Sequence, residues 1–266
     1  MHNNKRLIIL TNDDGVSSPG LVAAAIALAP LGRVLVTAPR EQQSGAGRSM
    51  PKSSDGNIES VAKVIDGASW DFYSISGSPA QVIQRGIFVV SERLPDLVVS
   101  GINYGENLGA DLTISGTVGA AWEAASYGVP ALAVSLQTDM SSHINHGLDV
   151  DFAGAIHFTR MFAKRLLDIE NTNDVDLLNI NVPMNANENT AWKITRQSRK
   201  QYFVPTNLSN PDLIQYKRAE DHAEAESDSD ICAITKEKVV SITPISIDAT
   251  ARVSLLNFEE KMRTLE

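Results

Sequence analysis

A single cysteine, Cys232, stands in a chain of 266 residues. One thiol excludes an internal disulfide framework and suits a reducing compartment. Long apolar runs are missing too. None approaches the ~18–20 residues needed to span a bilayer. The opening stretch MHNNKRLIIL has too short an apolar segment for a secretory signal, so the expectation is a soluble, cytoplasmic protein. Positive charge is in deficit: 23 Lys and Arg stand against 32 Asp and Glu, for a net charge of −9. That balance argues against nonspecific attraction to a nucleic-acid polymer or an anionic membrane, although it leaves room for a local anion pocket. Several catalytic signatures are absent as well. There is no GxxxxGK[ST] loop, no G-x-S-x-G elbow and no H-E-x-x-H helix, and GAGRSM lacks the third glycine of a dinucleotide fingerprint. A covalent aspartyl-phosphate enzyme of the D-x-D type is disfavoured, because Asn12 holds the place of the first aspartate.

What is present is an alternation of short apolar runs and helical patterns. RLIILT (6–11), RVLVTAP (33–39), WDFYSIS (70–76), DLVVS (96–100), ALAVSL (131–136) and DLLNINVP (176–183) read as strands. Between them GLVAAAIALAPLG (20–32), SPAQVIQRGIFV (78–89), GTVGAAWEAASYG (116–128) and DFAGAIHFTRMFAKRLLD (151–168) read as helices. Continuous apolar strands separated by helices predict a mostly parallel sheet covered on both faces, a three-layer α/β/α Rossmann-like fold. After residue 190 the character changes. Residues 197–230 are polar, with the acidic stretch AEDHAEAESDSD, and read as a long hairpin or loop; VVSITPISI (239–247) is a strand and the chain ends in a helix. The expected division is a core over 1–190 and a C-terminal oligomerisation region over 191–266.

The stretch TNDDGVSSPG (11–20) follows the apolar run Leu7–Leu10 directly. Two adjacent aspartates at a buried strand end repel each other and are costly to desolvate unless they face water or a cation. In an open parallel sheet, ligands bind outside the carboxyl ends of the strands. Three polar loops leave such ends: TNDDG, QQSGAG and GINYGENLGAD. Singly, each has an ordinary reading as a turn, a flexible loop or a helix cap. Converging on one sheet edge, they bring together Asp13, Asp14, Ser44 and Asn103. All are oxygen donors, a set for a hard cation such as Mg²⁺ or Mn²⁺ rather than Zn²⁺. Ser115, Gly116 and Thr117 open the next helix, where free N–H groups and the helix dipole favour an anion. A cation beside a helix N-terminus is an arrangement for metal-assisted phosphate-ester hydrolysis. His143 and His146 read as solvated loop residues, and His157 and His222 carry no such signal. A nucleotide-binding or sensing module without turnover is the alternative from a different class, and a purely structural oligomer is the third.

Taken together, LTNDDGVSSPGL (10–21), VTAPREQQSGAGRS (36–49), ISGSPAQVI (75–83), VSGINYGENLGADLTISGTVGAAWEAASYGVPALAVS (99–135) and SITPISID (241–248) resemble the SurE family of metal-dependent nucleotidases. The resemblance implies hydrolysis of nucleoside monophosphates at the 5′ and also the 3′ position, with exopolyphosphatase activity as a further possibility. It implies one divalent ion per subunit, Mg²⁺ or Mn²⁺, held by Asp13, Asp14, Ser44 and Asn103. Asn12, Gly45, Asn107, Ser115, Gly116 and Thr117 would border the substrate phosphate, and Asp13 and Asp14 are both candidates to assist the attacking water. A homodimer or homotetramer with exchanged C-terminal elements is also implied. The chain departs from the family pattern at Ile114, where an aromatic is usual, at Ser78 and Gln81 in GSPAQVI, and at MPKSS (50–54).

Overall fold

The computed structural model describes residues 5–264 apart from 66, 146, 148, 171, 208–214, 221 and 223. Its elements, in chain order, are β1 (Leu7–Thr11), α1 (Pro19–Leu28), β2 (Arg33–Pro39), β3 (Ile58–Ile65), β4 (Ala68–Ile75), α2 (Pro79–Arg85), β5 (Leu97–Tyr104), α3 (Gly116–Ala125) and β6 (Ala131–Leu136). They continue with α4 (Ser142–Asn145), α5 (Ala153–Asp168), β7 (Leu177–Val182), β8 (Trp192–Ile194), β9 (Phe203–Thr206), β10 (Gln215–Arg218), α6 (Asp230–Cys232), β11 (Val240–Ile245) and α7 (Leu255–Thr264).

Nine strands form one sheet in the order β3-β4-β2-β1-β5-β6-β7-β11-β8. Its centre is parallel from β4 through β7, as the continuous apolar runs predict. Alternate residues of β1 serve opposite faces. Ile8 and Leu10 pack with α1 and α5, while Leu7 and Ile9 pack with α2 and α3. The result is the three-layer α/β/α arrangement.

Two local boundaries differ from the sequence expectation. β3 is not among the strands read from the sequence; it pairs antiparallel with β4 as an edge strand that exposes Glu59, Ser60, Ala62 and Val64. β5 runs on to Tyr104 instead of stopping at Ser100. Its ladder with β6 is interrupted between Ser100 and Asn103 and then resumes, so Asn103 sits on a strand end and not in a free loop.

The sheet also reaches past residue 190. β11 pairs antiparallel with β7 and parallel with β8, so two strands from the 191–266 stretch complete the sheet. The remainder of that stretch lies outside it. β9 and β10 form an antiparallel hairpin. Leu108, Tyr202, Ala225, Ile231 and Ile234 build a small separate core that fastens Tyr202 and the stretch from Ala225 to Ile234 to the loop after β5. α7 buries none of its residues.

Local chemistry explains the helix starts next to the site. Ser115 caps α3 by accepting a hydrogen bond from the Val118 N–H at 3.1 Å. Ser78 and Gln81, two of the departures from the family pattern, form a reciprocal capping box on α2. Ser78 Oγ accepts from the Gln81 N–H at 3.2 Å, and Gln81 Oε1 accepts from the Ser78 N–H at 3.1 Å.

Candidate active site

The carboxyl ends of β1, β2 and β5 and the start of α3 surround a cavity of about 460 Å³. Asp13, Ser44, Gly45, Asn103, Asn107 and Ser115, six of the residues singled out in the sequence, line it. Asp14 stands immediately behind. Its Oδ2 accepts from the Tyr104 N–H at 3.3 Å, and its Oδ1 lies 3.4 Å from Gln42 Nε2. That same Gln42 nitrogen donates to Ser44 Oγ at 3.0 Å and to the His143 carbonyl at 2.8 Å. Gln42 therefore ties three loops together at the site.

Asp13 is held from the α3 side. Thr117 donates its hydroxyl to Asp13 Oδ1 at 2.6 Å. Gly116 lies so close that a Cβ there would stand 2.8 Å from both Asp13 Cβ and Oδ2. Neither Gly116 nor Thr117 lines the cavity itself; both act on the carboxylate that does. Helix geometry leaves their N–H groups without intrahelical acceptors. Asn12 is fully buried and does not line the cavity; its Nδ2 donates to the Gly15 carbonyl at 3.0 Å, which pins the turn. Gly45 sits at φ +74° with open space around the position of a missing Cβ.

Burial pushes the Asp13 carboxyl up from 3.8 to about 7, and the negative charge of Asp14 adds to the rise. The Thr117 hydrogen bond opposes both but does not cancel them. Tyr104, buried beside Asp14, is pushed up to about 12 by desolvation and by that same charge. Negative charge at this sheet edge is thus under-compensated by the protein. The residues fit a hard divalent cation: two carboxylates, a hydroxyl and an amide, all oxygen donors. The Asn103 amide spends its nitrogen on the Gly105 carbonyl at 2.7 Å, leaving the oxygen as the end available for a cation.

Several residues at the site were not foreseen. His143 does not behave as a solvated loop residue. It lines the cavity, its ring packs edge-on against Phe203, and burial lowers its basicity. His146 lies outside the described residues. Gln42 was legible as the neighbour of Ser44 in REQQSGAG. Phe203, brought in from the distant hairpin, carried no sequence signal. Glu106 and Asp111 also lie on the site loop and grip that hairpin. Arg218 makes two bonds to the Glu106 carboxylate, at 2.7 and 3.0 Å, and the Tyr202 hydroxyl donates to it. Asp111 Oδ2 accepts from the N–H groups of Tyr202 and Phe203, at 2.9 and 2.7 Å.

Comparison with known proteins gives the same picture from three directions. The family model described as "Survival protein SurE" matches residues 8–204. The chain is 40% identical to a 5′-nucleotidase SurE of Methanothrix thermoacetophila, across 98% of this chain and 99% of that protein. It is likewise 40% identical to a 5′-nucleotidase SurE of Thermococcus kodakarensis, across 97% and 98%. The crystal structure of the SurE protein from Aquifex aeolicus superposes with a TM-score of 0.76 at 31% identity, covering 96% of this chain and 99% of that one. With a family model matched over residues 8–204 and 40% identity across nearly the whole length of both chains, the chain belongs to the SurE family.

Proposed function

We propose that this protein is a phosphoric monoester hydrolase that converts nucleoside monophosphates to nucleoside and inorganic phosphate. Its activity depends on one divalent ion per subunit, Mg²⁺ or Mn²⁺. The observation that carries the reading is Asp13. It is a buried carboxyl beside a second carboxylate, held against the N-terminus of α3 by Thr117 on the wall of a cavity it shares with Ser44, Asn103 and Ser115. The names of the relatives support the nucleotidase part.

Asp13, Asp14, Ser44 and Asn103 are the ligands of the ion. When bound, a divalent ion neutralises the two carboxylates and polarises the phosphate. The chain's own residues do the rest. Ser115 lines the cavity at the positive end of α3 and borders the phosphate oxygens, with Gly116 and Thr117 behind it holding Asp13. Asn107 and Gly45 close the wall beside them, and Asn12 fixes the turn that carries both aspartates. A water attacks phosphorus in line with the ester oxygen as the P–O ester bond breaks, and the departing oxygen takes a proton from solvent to leave as the nucleoside hydroxyl. The proton of the attacking water goes to the Asp13–Asp14 pair. The substrates of this reading are 5′-nucleotides, with 3′-nucleotides and the end of a short polyphosphate as further ones.

The reading of the assembly rests on α7. Leu255, Phe258 and Met262 recur at helical spacing, all exposed, with Leu256 beside them. A stripe of this kind at the C-terminus supports a homodimer or homotetramer that exchanges C-terminal elements, with α7 and the β9–β10 hairpin as the exchanged parts.

The test is inorganic phosphate release from a panel of nucleoside monophosphates, short polyphosphate and an aryl phosphate. It is run after chelation and after return of Mg²⁺, Mn²⁺, Ca²⁺ or Zn²⁺, on wild type beside Asp14→Asn. Release restored by Mg²⁺ or Mn²⁺ and lost in the folded variant is expected. Nucleotide binding without release under any metal would replace the hydrolase by a sensing module.

A further inference from the structure

Asn107 is held by a clamp that neither the fold nor the metal ligands require. The Asn181 side chain pairs with the Asn107 backbone as a neighbouring strand would. Asn181 Oδ1 accepts from the Asn107 N–H at 2.8 Å, and Asn181 Nδ2 donates to the Asn107 carbonyl at 3.0 Å. Asn179 Nδ2 donates to the same carbonyl at 2.9 Å. From the adjoining strand, Ser135 takes the Asn107 side chain, with Nδ2 to Oγ at 2.8 Å. Ser135 and Asn181 are register partners in β6 and β7, and Asn103 is the partner of Ser135 in β5. Ser135, Asn179 and Asn181 are all fully buried.

Burying polar side chains in central strands costs free energy even when they are paired, and an apolar residue would fill the space at lower cost. Asn179 Oδ1 has no partner among the described residues, so the arrangement leaves part of that cost uncompensated. Three such residues converge on a single loop residue, and that residue lines the cavity.

We infer that Asn181, Asn179 and Ser135 are positioning residues that fix Asn107 against the substrate phosphate. This rests on the phosphatase reading above. Asn181 and Asn179 hold the backbone of Asn107, and Ser135 sets its amide. A hydroxyl both donates and accepts, so Ser135 can hold either end of that amide. With an anion in the cavity, Ser135 donates to Asn107 Oδ1 and the Nδ2 hydrogens turn to the phosphate. Support of this kind keeps a contact within the tolerance that catalysis demands.

The test is a double-mutant cycle of Asn181→Ser with Asn107→Ala. It is read on kcat/KM for adenosine 5′-monophosphate with Mn²⁺ and on Kd for inorganic phosphate. Each single change is expected to lower kcat/KM by about 10- to 100-fold. The double variant should fall no more than about threefold below Asn107→Ala, because Asn181 acts through Asn107. Losses that multiply would overturn the inference, as would wild-type kcat/KM in folded Asn181→Ser. Should Asn181→Ser fail to fold, Ser135 decides. Ser135→Ala is expected to lose about tenfold and Ser135→Thr, which keeps the hydroxyl, to recover it; equal activity in the two overturns the inference. A wild type that binds inorganic phosphate but releases none overturns the hydrolytic reading alone, and the same cycle on phosphate Kd then decides the clamp.

Discussion

Thr117 and Asp13 lie 104 residues apart in the chain and 2.6 Å apart in the fold, the threonine hydroxyl donating to the aspartate Oδ1. The bond crosses from the first residue of helix α3 beyond its glycine to the end of β1. It stabilises the charged form of a carboxyl that burial and Asp14 would keep protonated.

Stability of the metal-free protein should therefore depend on pH through Asp13. Its folded value of about 7 lies above the ordinary 3.8, so the folded state holds a proton that the unfolded chain has already released. The contribution is fully present below pH 3.8 and is lost as pH rises to about 7. Added Mn²⁺ reverses the loss by favouring the ionised pair. Thermal midpoints with and without chelator should differ more at about pH 8 than at about pH 5. Equal differences at both would remove Asp13 from the ion.

Thr117→Val deletes the donor and keeps the volume. Asp13 should then hold its proton to higher pH, and Mn²⁺ affinity at neutral pH should fall by about tenfold. Isothermal titration at two pH values checks this, since the deficit must shrink on raising the pH.

Gly116 and Gly45 make different demands. At Gly116 an added Cβ would meet Asp13 atoms at 2.8 Å, so Gly116→Ala must displace the carboxylate. The expected cost is about 1–3 kcal/mol, together with loss of metal-dependent turnover. At Gly45 there is open space but a φ of +74°. Gly45→Ala should cost about 1–2 kcal/mol of backbone strain and move Ser44 less. Denaturant titration paired with phosphate release separates the two.

These glycines also mark how far the sequence could be read. The strand ends carrying Asp13, Asp14 and Asn103 were legible because continuous apolar runs fixed a parallel sheet, and a parallel sheet puts its carboxyl ends on one edge. The cap at Ser115 was legible from its place before a small-residue helix. Edge strand β3 was not, because it exposes Ala62 and Val64 beside Glu59 and Ser60, so no clean alternation marks it, and its pairing with β4 is a tertiary choice. Phe203 carried no signal and His143 read as a solvated loop residue for a similar reason. They reach the cavity from the hairpin and from the stretch after β6, whose positions are set by the Phe203 N–H donating to Asp111 and by Gln42 donating to the His143 carbonyl rather than by any periodic pattern.

Arg218→Met should loosen the hairpin. It would strip the bidentate partner from Glu106, whose side chain is fully buried, and leave that charge with Tyr202 and Gln137 alone. The expected destabilisation is about 2–4 kcal/mol. Limited proteolysis between residues 203 and 218 should accelerate before the core unfolds.

Removal of α7 by ending the chain before residue 255 should lower the molar mass seen by light scattering if the exposed stripe Leu255, Phe258, Met262 is an interface. An unchanged mass would place the subunit contacts elsewhere.

Glu106 and Asp111, which grip the hairpin, belong to the same short loop as Asn107 and lead directly to Ser115. The outer arm and the inner pocket are consequently one mutational unit. A lineage that reshapes the hairpin to suit a new neighbour must keep a forked cation at 218 and two backbone donors at 202 and 203, or it disturbs the loop that meets the substrate. Drift at the periphery of this molecule is answerable to its centre.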